Sequence, residues 1–465
     1  RLISVGPRLN LTTTSSDRWI TAKAGSEGAI ALALAKAVHS KKGAPAGADA
    51  DALTRFLAGG DATAAARQAG IESAAIDEIA DALLHAKSPV VIPPGTAHST
   101  TSGAATVAAV MVLNALLGAV GTTVIVPPET SKAKTASLPE IQTLLAEMNA
   151  GRVKVLLLHD GNPVYSLPGF AEAVSKVEVV VSFAPLRDET SEAASLILPD
   201  HTAMESWGDA APRPGVRSLV QPTVRPLMDT QALGDTLLDL GRAFGGSMPA
   251  GSFRNVVETN WSDTNFRDAL GRGGVFTAAP AAPVSLSSNL GSFSLAAPKL
   301  EGSGEYTLVA FPHTFFGDGS GATLPWLQET PDSVTKLGWN SWVELSFATA
   351  EKLGVVFGDV VEVTTPAGKI ETSAFPRGGL RDDTIAIPIG QGHTVGHYAS
   401  MEGDGEPGVA RGANVISIVP LTQNGSGGRA WLASTASLRK TGKFRRLALN
   451  QWTDNQRGRE LAPNV

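Results

Sequence analysis

The 465-residue chain contains no cysteine. That absence excludes disulfides, cysteine nucleophiles, thiolate zinc sites and cysteine-ligated iron–sulfur clusters from these residues. It leaves the compartment open, because a thiol-free protein suits either redox environment. Positive charge is not in excess either: a formal net charge of -6 and a pI near 5.8 give no electrostatic footprint for nucleic acid. Basic clusters such as Arg439 to Arg446, "RKTGKFRR", are short and read as a solvated face or a docking edge. Long charge blocks and low-complexity tracts are lacking, and 43% hydrophobic with 18% charged residues is the composition of a chain that folds throughout. A prior of about 100 to 200 residues per domain gives two to four domains. No basic, apolar and small-residue signal pattern precedes "RLISVGPRL", which reads as a strand already under way, so a piece of a longer chain is expected.

One uncharged run is long enough to span a bilayer: Ala104 to Val126, "AATVAAVMVLNALLGAVGTTVIV". It is Ala-rich, is broken by Gly118 and Gly121, and turns β-branched toward Pro127, so a buried helix followed by a buried strand accounts for it better. Around it, apolar strands alternate with helices. "RLISVG" is a strand, and "SEGAIALALAKAVHS" is a helix with Ser26 as a plausible N-cap. "AAIDEIADALLH" is an amphipathic helix leading to a strand at Pro89 to Ile92. After the helix "LPEIQTLLAEMNAG" come a strand Val153 to His159, a helix around Phe170 to Ser175 and a strand Val177 to Phe183. Continuous apolar strands between helices indicate a parallel sheet covered on both faces.

The composition changes near Phe244. From Gly245 to Leu300 it is rich in Gly, Ser, Pro and Ala, which reads as linker. Beyond Glu305 the strands are short and alternating, as in "YTLVAF", "DVVEVTTPAGKIETSAF" and "DTIAIPI", which indicates a closed β-rich domain. The expected organisation is therefore α/β: residues 1–74 as part of a first domain, 75–244 as a second, Rossmann-like domain, 245–300 as linker and 301–465 as a β-barrel.

Two stretches carry candidate chemistry. "HDGNP", from His159 to Pro163, leaves a strand through Asp160 and Gly161, can turn on Asn162 and loses a donor at Pro163. Such a turn lies at the carboxyl ends of parallel strands, where ligands bind, although an ordinary strand-to-helix connection uses the same residues. "RDETSEAASLILPDHTAMESWGD", from Arg187 to Asp209, follows the next strand. Its carboxylates Asp188, Glu189, Glu192 and Glu205 could read a ligand or simply cap helices. His393 and His397 in "GQGHTVGHYA" are four apart, but the surrounding glycines oppose a helix and no third metal ligand stands nearby. "FGDGSG" lacks the lysine of a P-loop.

Together these stretches resemble the molybdopterin oxidoreductases that bind pterin guanine dinucleotides. Gly161, Asn162 and Pro163 match a Gly-Asn-Pro turn. Glu189 and Thr190 match an acidic-Thr run, Leu198 and Pro199 a Leu-Pro strand end, and Glu205 and Gly208 a Glu before a Gly. The opening "LISVGPRLNLTTTSSDRWITAKAGSEGAIALALA" is similar to that family's first strand, turn and helix start. The resemblance covers nearly the whole chain and implies Rossmann-like parallel-sheet domains followed by a double-psi-type barrel. Gly6 stands where the family usually has an acidic residue, which implies that a guanosine contact is missing.

"LPWLQETPDSVTKLGWNSWVELSFATAEKLGV" and "PIGQGHTVGHYA" are similar to one branch, the large iron–sulfur and molybdopterin-like subunit of alternative complex III, a quinol-oxidising respiratory complex. That resemblance implies a scaffold without catalytic residues or a cofactor of its own. It implies iron–sulfur clusters on a fused ferredoxin-like segment, with integral membrane quinol-binding subunits and cytochrome c subunits as partners. It further implies a peripheral position on the periplasmic side of the bacterial inner membrane. Any surviving cofactor contacts would come from Gly161, Asn162, Pro163, Asp188, Glu189, Thr190 and His393, with Tyr165 or Trp207 filling the crevice. Two alternatives stay open: a fragment of a true molybdenum enzyme holding molybdopterin guanine dinucleotide, and a nucleotide-binding module without a redox role.

Overall fold

A computed structural model describes residues 1–93, 95, 99–126, 135–278, 285–400 and 409–450. The chain opens with β1 (Ile3–Gly6) and β2 (Arg18–Thr21), which pair in parallel. The helix Glu27–Lys42 follows, apolar on nearly every side, and such a helix must be enclosed. It is packed by the helices Ala62–Ala69, Ser73–His85 and Gly103–Leu117. One core joins Leu32, Leu34 and Leu53 to Ile76, Ile79, Val112 and Leu113, so packing continues across the boundary expected at residue 74. The apolar stripe of the helix Ser73–His85 faces back into the first segment rather than forward.

The helix of the long uncharged run is present, and no described helix is long and apolar enough to cross a membrane. The strand expected after it is not formed. Gly118 (φ 76°) and Gly121 (φ 86°) turn the chain, Gly121 N–H donates to the Val124 carbonyl, and Ile125 is exposed. Pro127 lies outside the described residues. Residues 89–92 are not a strand either. The buried Asn114 amide donates to Val91 O at 2.8 Å and accepts from Val91 N at 2.9 Å, doing with a side chain what a neighbouring strand would do.

The second layered unit starts at the helix Leu138–Asn149, whose first turn is closed by a capping box between Ser137 and Glu140. It contains three parallel strands, β3 (Val155–Leu158), β4 (Val179–Ser182) and β5 (Leu196–Ile197), joined in that order. Met148, Phe170, Ala173, Val174 and Val177 pack against one face of this sheet. Parallel pairing of β3 with β4 brings their carboxyl ends together, because a short crossover leaves no other register.

The segment expected as linker is structured over part of its length. The antiparallel strands β6 (Gly208–Arg213), β7 (Val216–Val220) and β8 (Gly274–Phe276) enclose the helices Phe253–Asn260 and Phe266–Arg272 in sequence. The reason is three apolar anchors hidden among many small residues: Val257, Trp261 and Ala269 form a core, and Trp261 Nε1 donates to Asp209 at 2.9 Å.

The last unit is a six-stranded closed barrel of the double-psi type. Its strands are β9 (Tyr306–Pro312), β11 (Trp342–Leu345), β12 (Asp359–Thr365), β13 (Gly368–Pro376), β14 (Thr384–Ile389) and β15 (Thr435–Phe444), while β10 (Leu337–Gly338) pairs outside it with β16 (Ala448–Leu449). Residues 401–408 and 451–465 of the expected barrel domain lie outside the described residues. Closure removes the sheet edges, and Val343, Leu345, Val361, Val363, Ile385 and Ile387 fill the interior. In the basic run, Arg439 pairs with Glu362, Lys440 with Asp359 and Lys443 with Glu371, so most of its charge is met on the barrel wall.

The start of the chain is bolted to this barrel by charge. Glu344, fully buried, accepts from Arg8 Nε at 2.6 Å and Nη2 at 2.8 Å, and from Arg377 Nη1 at 3.2 Å. Removing the charge strands two buried guanidinium groups. Glu344→Gln is therefore expected to lower stability by about 3 to 5 kcal/mol, read as an earlier urea transition in the fluorescence of the adjoining Trp342.

Candidate functional site

At the carboxyl end of β3, Asp160 rather than Gly161 takes the left-handed conformation (φ 51°), which Asp tolerates better than most residues. Pro163 then opens the helical turn Pro163–Ser166. Asn162 does not use its side chain on its own turn. Its Nδ2 donates to Glu189 Oε2 at 2.6 Å, and its Oδ1 accepts from Thr190 Oγ1 at 2.7 Å and Thr190 N at 3.2 Å. Thr190 Oγ1 in turn accepts from Val164 N at 3.0 Å. The two polar loops thus stand side by side, cross-linked by side chains. Asp188 faces the other way and caps the turn Glu189–Glu192, accepting from Ser191 N at 2.7 Å. Burial raises its pKa.

Glu189 reaches out of the sheet unit into the barrel. Its Oε2 meets His393 Nδ1 at 3.1 Å, and its Oε1 accepts from Thr394 N at 2.6 Å and Val395 N at 3.3 Å. Burial pushes the Glu189 carboxyl up, but the hydrogen bond and charge of His393, followed by the Asn162 amide, outweigh it and bring the pKa down to about 2. His393 lies flat against the buried Tyr165, with ring centroids 3.8 Å apart. Tyr165 Oη donates to Gln391 O at 3.0 Å, and Asn414 Nδ2 donates to Tyr165 O at 2.9 Å. Gly319 (φ 112°) closes over this stack so tightly that a Cβ there would lie 2.8 Å from the Tyr165 ring and 3.0 Å from His393 Nε2.

All seven residues singled out from the sequence fall in this region. Asn162, Glu189, Thr190 and His393 make one network, Gly161 and Pro163 shape its backbone, and Asp188 is a cap. Tyr165 occupies the crevice, whereas Trp207 lies elsewhere with the Arg254 guanidinium 5.0 Å from its ring. Glu205 also acts locally, accepting from Thr202 N and Leu227 N. His397 is exposed while His393 is buried, and no group of three metal-ligating side chains exists among the described residues. Gly6 opens onto free space, with nothing within 4 Å of a Cβ built on it.

Sequence reasoning overlooked Gln391, Asn414 and Gly319, whose roles depend on partners distant along the chain, and also Glu27. Glu27 begins the helix Glu27–Lys42, is only 6% exposed, and neither carboxylate oxygen makes a hydrogen bond. Burial lifts its pKa to about 7 against the pull of the nearby Glu27 and Gly25 amides. Ser26, the expected cap, instead donates its hydroxyl back to Lys23 O at 2.6 Å. A Cβ at Gly25 would meet Pro298 at 2.5 Å, so the helix start is pressed under the segment that leads into the barrel.

Known proteins are similar to this chain in sequence and fold. Residues 1–229 match the family model described as molybdopterin oxidoreductase, and residues 328–428 match that of the molydopterin dinucleotide binding domain. The chain belongs to the molybdopterin oxidoreductase family. A protein of Nitratidesulfovibrio vulgaris, strain Hildenborough, named menaquinone reductase, molybdopterin-binding-like subunit, is 30% identical over 464 residues. That alignment covers 95% of this chain and 65% of the relative's length. Acetylene hydratase from Pelobacter acetylenicus has the same fold, with a TM-score of 0.73 at 15% identity, over 95% of this chain and 74% of that one.

The family's pterin guanine dinucleotide would need free donors and acceptors along these loops, since buried polar groups left unpaired cost about 1 to 3 kcal/mol each. The side chains of Asn162, Glu189 and Thr190 are already committed to one another and to the barrel, and Tyr165 lies stacked beside them. As arranged, these three side chains offer that cofactor few free donors or acceptors, while the Nε2 of His393 beside them is buried without a partner.

Two outcomes follow from the site. Glu189→Ala removes the acceptor of the Thr394 and Val395 amides, and losing charge-assisted bonds should speed their hydrogen exchange about tenfold to a hundredfold, measured by mass spectrometry. Glu27 has a folded pKa raised above its unfolded value, so it keeps its proton where the unfolded chain has lost it. Stability should fall between pH 4.5 and about 7 and then level off. Glu27→Gln should abolish that slope and gain on the order of 3 kcal/mol at pH 8, read from urea unfolding at a series of pH values.

Proposed function

We propose that the chain is the non-catalytic, molybdopterin-like scaffold portion of an electron-transfer subunit in a quinol-oxidising respiratory complex of the alternative complex III type. The observation that carries this reading is the network of Asn162, Glu189, Thr190, His393 and Tyr165, which turns the family's cofactor loops into a joint between sheet and barrel. The missing cysteines agree: no thiolate-held cluster or thiolate-bound metal can reside on these residues. The name of the Nitratidesulfovibrio relative, a molybdopterin-binding-like subunit of a menaquinone reductase, supports the same role. The chain matches 65% of that relative, so the activity of the whole assembly belongs to this proposal.

On this reading the electrons pass from quinol to cytochrome c or a similar acceptor through iron–sulfur clusters on a fused or neighbouring ferredoxin-like segment. Integral membrane quinol-binding subunits and cytochrome c subunits are the partners, and the chain sits peripherally on the periplasmic face of the inner membrane. The work of this chain is rigidity. Glu189 locks the barrel loop to the sheet, and Glu344 locks the first turn to the barrel, so that attached redox groups keep a fixed separation.

A second reading, a true molybdenum enzyme, is favoured by one observation: the unpartnered carboxylate of Glu27 and the unpartnered Nε2 of His393 are the kind of buried atoms a cofactor could satisfy. Metal analysis and oxidised-pterin fluorescence on the natively purified protein separate the two. The scaffold predicts neither molybdenum nor pterin above trace, and predicts that Gly6→Asp confers no pterin binding. Stoichiometric amounts of both would replace it with the enzyme reading.

A further inference from the structure

Side chains along β3, β4 and β5 divide between two faces, because the strand period is two. Leu156, Leu158 and Val180 point to the helices and pack with Met148, Phe170 and Val174. The register sets Val155 beside Val179, and Leu157 beside Val181 and Leu196, on the opposite face. Four of its five side chains lie open, Val155 58% exposed, Leu157 49%, Val179 40% and Leu196 48%, around the central Val181 at 8%. None of its five side chains is polar. Parallel sheets bury both faces, so one aliphatic face left open is the anomaly of this fold.

We propose that this face receives a single amphipathic α-helix of a partner polypeptide, laid antiparallel to the strands with its aliphatic side against Leu157, Val179 and Leu196. Size excludes a second copy of this chain as the sole occupant. The four open side chains present roughly 300 Å², the scale of a functional patch, whereas a stable dimer buries about 800 Å² per partner. Layer geometry favours a helix, since helices are what cover parallel sheets.

Charge sets the direction. At the carboxyl ends Asp160, with its side chain 81% exposed, and Asp200 outnumber His159, which pairs with Asp200 at 2.9 Å. At the amino ends Lys154 and Glu178 cancel as a pair at 3.7 Å. The positive N-terminal end of a helix belongs over the acidic corner. An anionic lipid surface would be repelled there.

The inference rests on the chain being one subunit of an assembly, and not on whether a cofactor is bound. The test places a benzoylphenylalanine photo-crosslinker at position 157 or 179 in the natively purified complex and maps the adducts by mass spectrometry. Both positions should link to one segment of another polypeptide, at residues three or four apart. Adducts spaced by two, adducts to a second copy of this chain, adducts to lipid or the absence of any would each overturn it. Leu157→Asp should reduce co-purification of that polypeptide about tenfold or more while leaving the unfolding midpoint of the isolated chain unchanged, because the position is open. Pterin and molybdenum content reports on the scaffold reading separately, so failure of one leaves the other distinguishable.

Discussion

A carboxylate enclosed between two folded units must find donors for both of its oxygens, and Glu189 finds four: the Asn162 amide, the His393 ring and the Thr394 and Val395 backbone amides. Two come from the barrel loop, one from a barrel side chain and one from the neighbouring strand turn. Glu189 is thus a main tie between the sheet and the barrel, alongside the bonds of Tyr165 with Gln391 and Asn414. Breaking such an arrangement costs far more than its parts gain in water, because the stranded charge stays buried. Tyr165 and His393 extend the joint by stacking, and Gly319 seals it where no side chain would fit.

Glu344 plays the corresponding part between the first turn of the chain and the barrel. It holds Arg8 by both guanidinium contacts and shares an oxygen with Arg377, while the Arg8 guanidinium also lies 3.7 Å from the ring centroid of Phe311. The first few residues of the chain are thus fixed to a barrel formed hundreds of residues later. Both joints use the same physics, a buried carboxylate satisfied by groups from distant segments. Together they make a two-point mount suited to a part that holds others in register.

Helices with small residues allow the remaining close packing. Gly25 and Gly28 start the helix Glu27–Lys42 beneath Pro298 and against Thr106, with no room for a Cβ at either position. The cost of that tight entry is Glu27, a carboxyl without a partner that keeps its proton up to about pH 7. It is the clearest place where local hydrogen bonding and global packing disagree. The open face of β3 to β5 is the clearest place where burial stops short of what the strand composition calls for.

Composition and periodicity alone determined the class of the fold and most of its elements. Alternation of apolar strands with helices gave the parallel sheet, and period two after Glu305 gave the barrel, because those patterns follow from which side chains must leave water. The order of short motifs gave the family, and it brought the seven candidate residues to one region. What only the tertiary structure decided is where the chain's polar atoms go. Asn162 was readable as a turn residue, but its amide crosses to Glu189. Residues 89–92 and the β-branched stretch before Pro127 were readable as strands, but the Asn114 amide pairs with Val91 and the chain turns at Gly118 and Gly121, where Gly121 N–H donates to Val124 O. The linker held a hidden core because a single tryptophan and two small apolar residues carry little periodic signal. Hydrogen bonds and ion pairs between residues hundreds of positions apart leave no trace in local sequence, since their partners are chosen by the packed geometry and not by spacing along the chain.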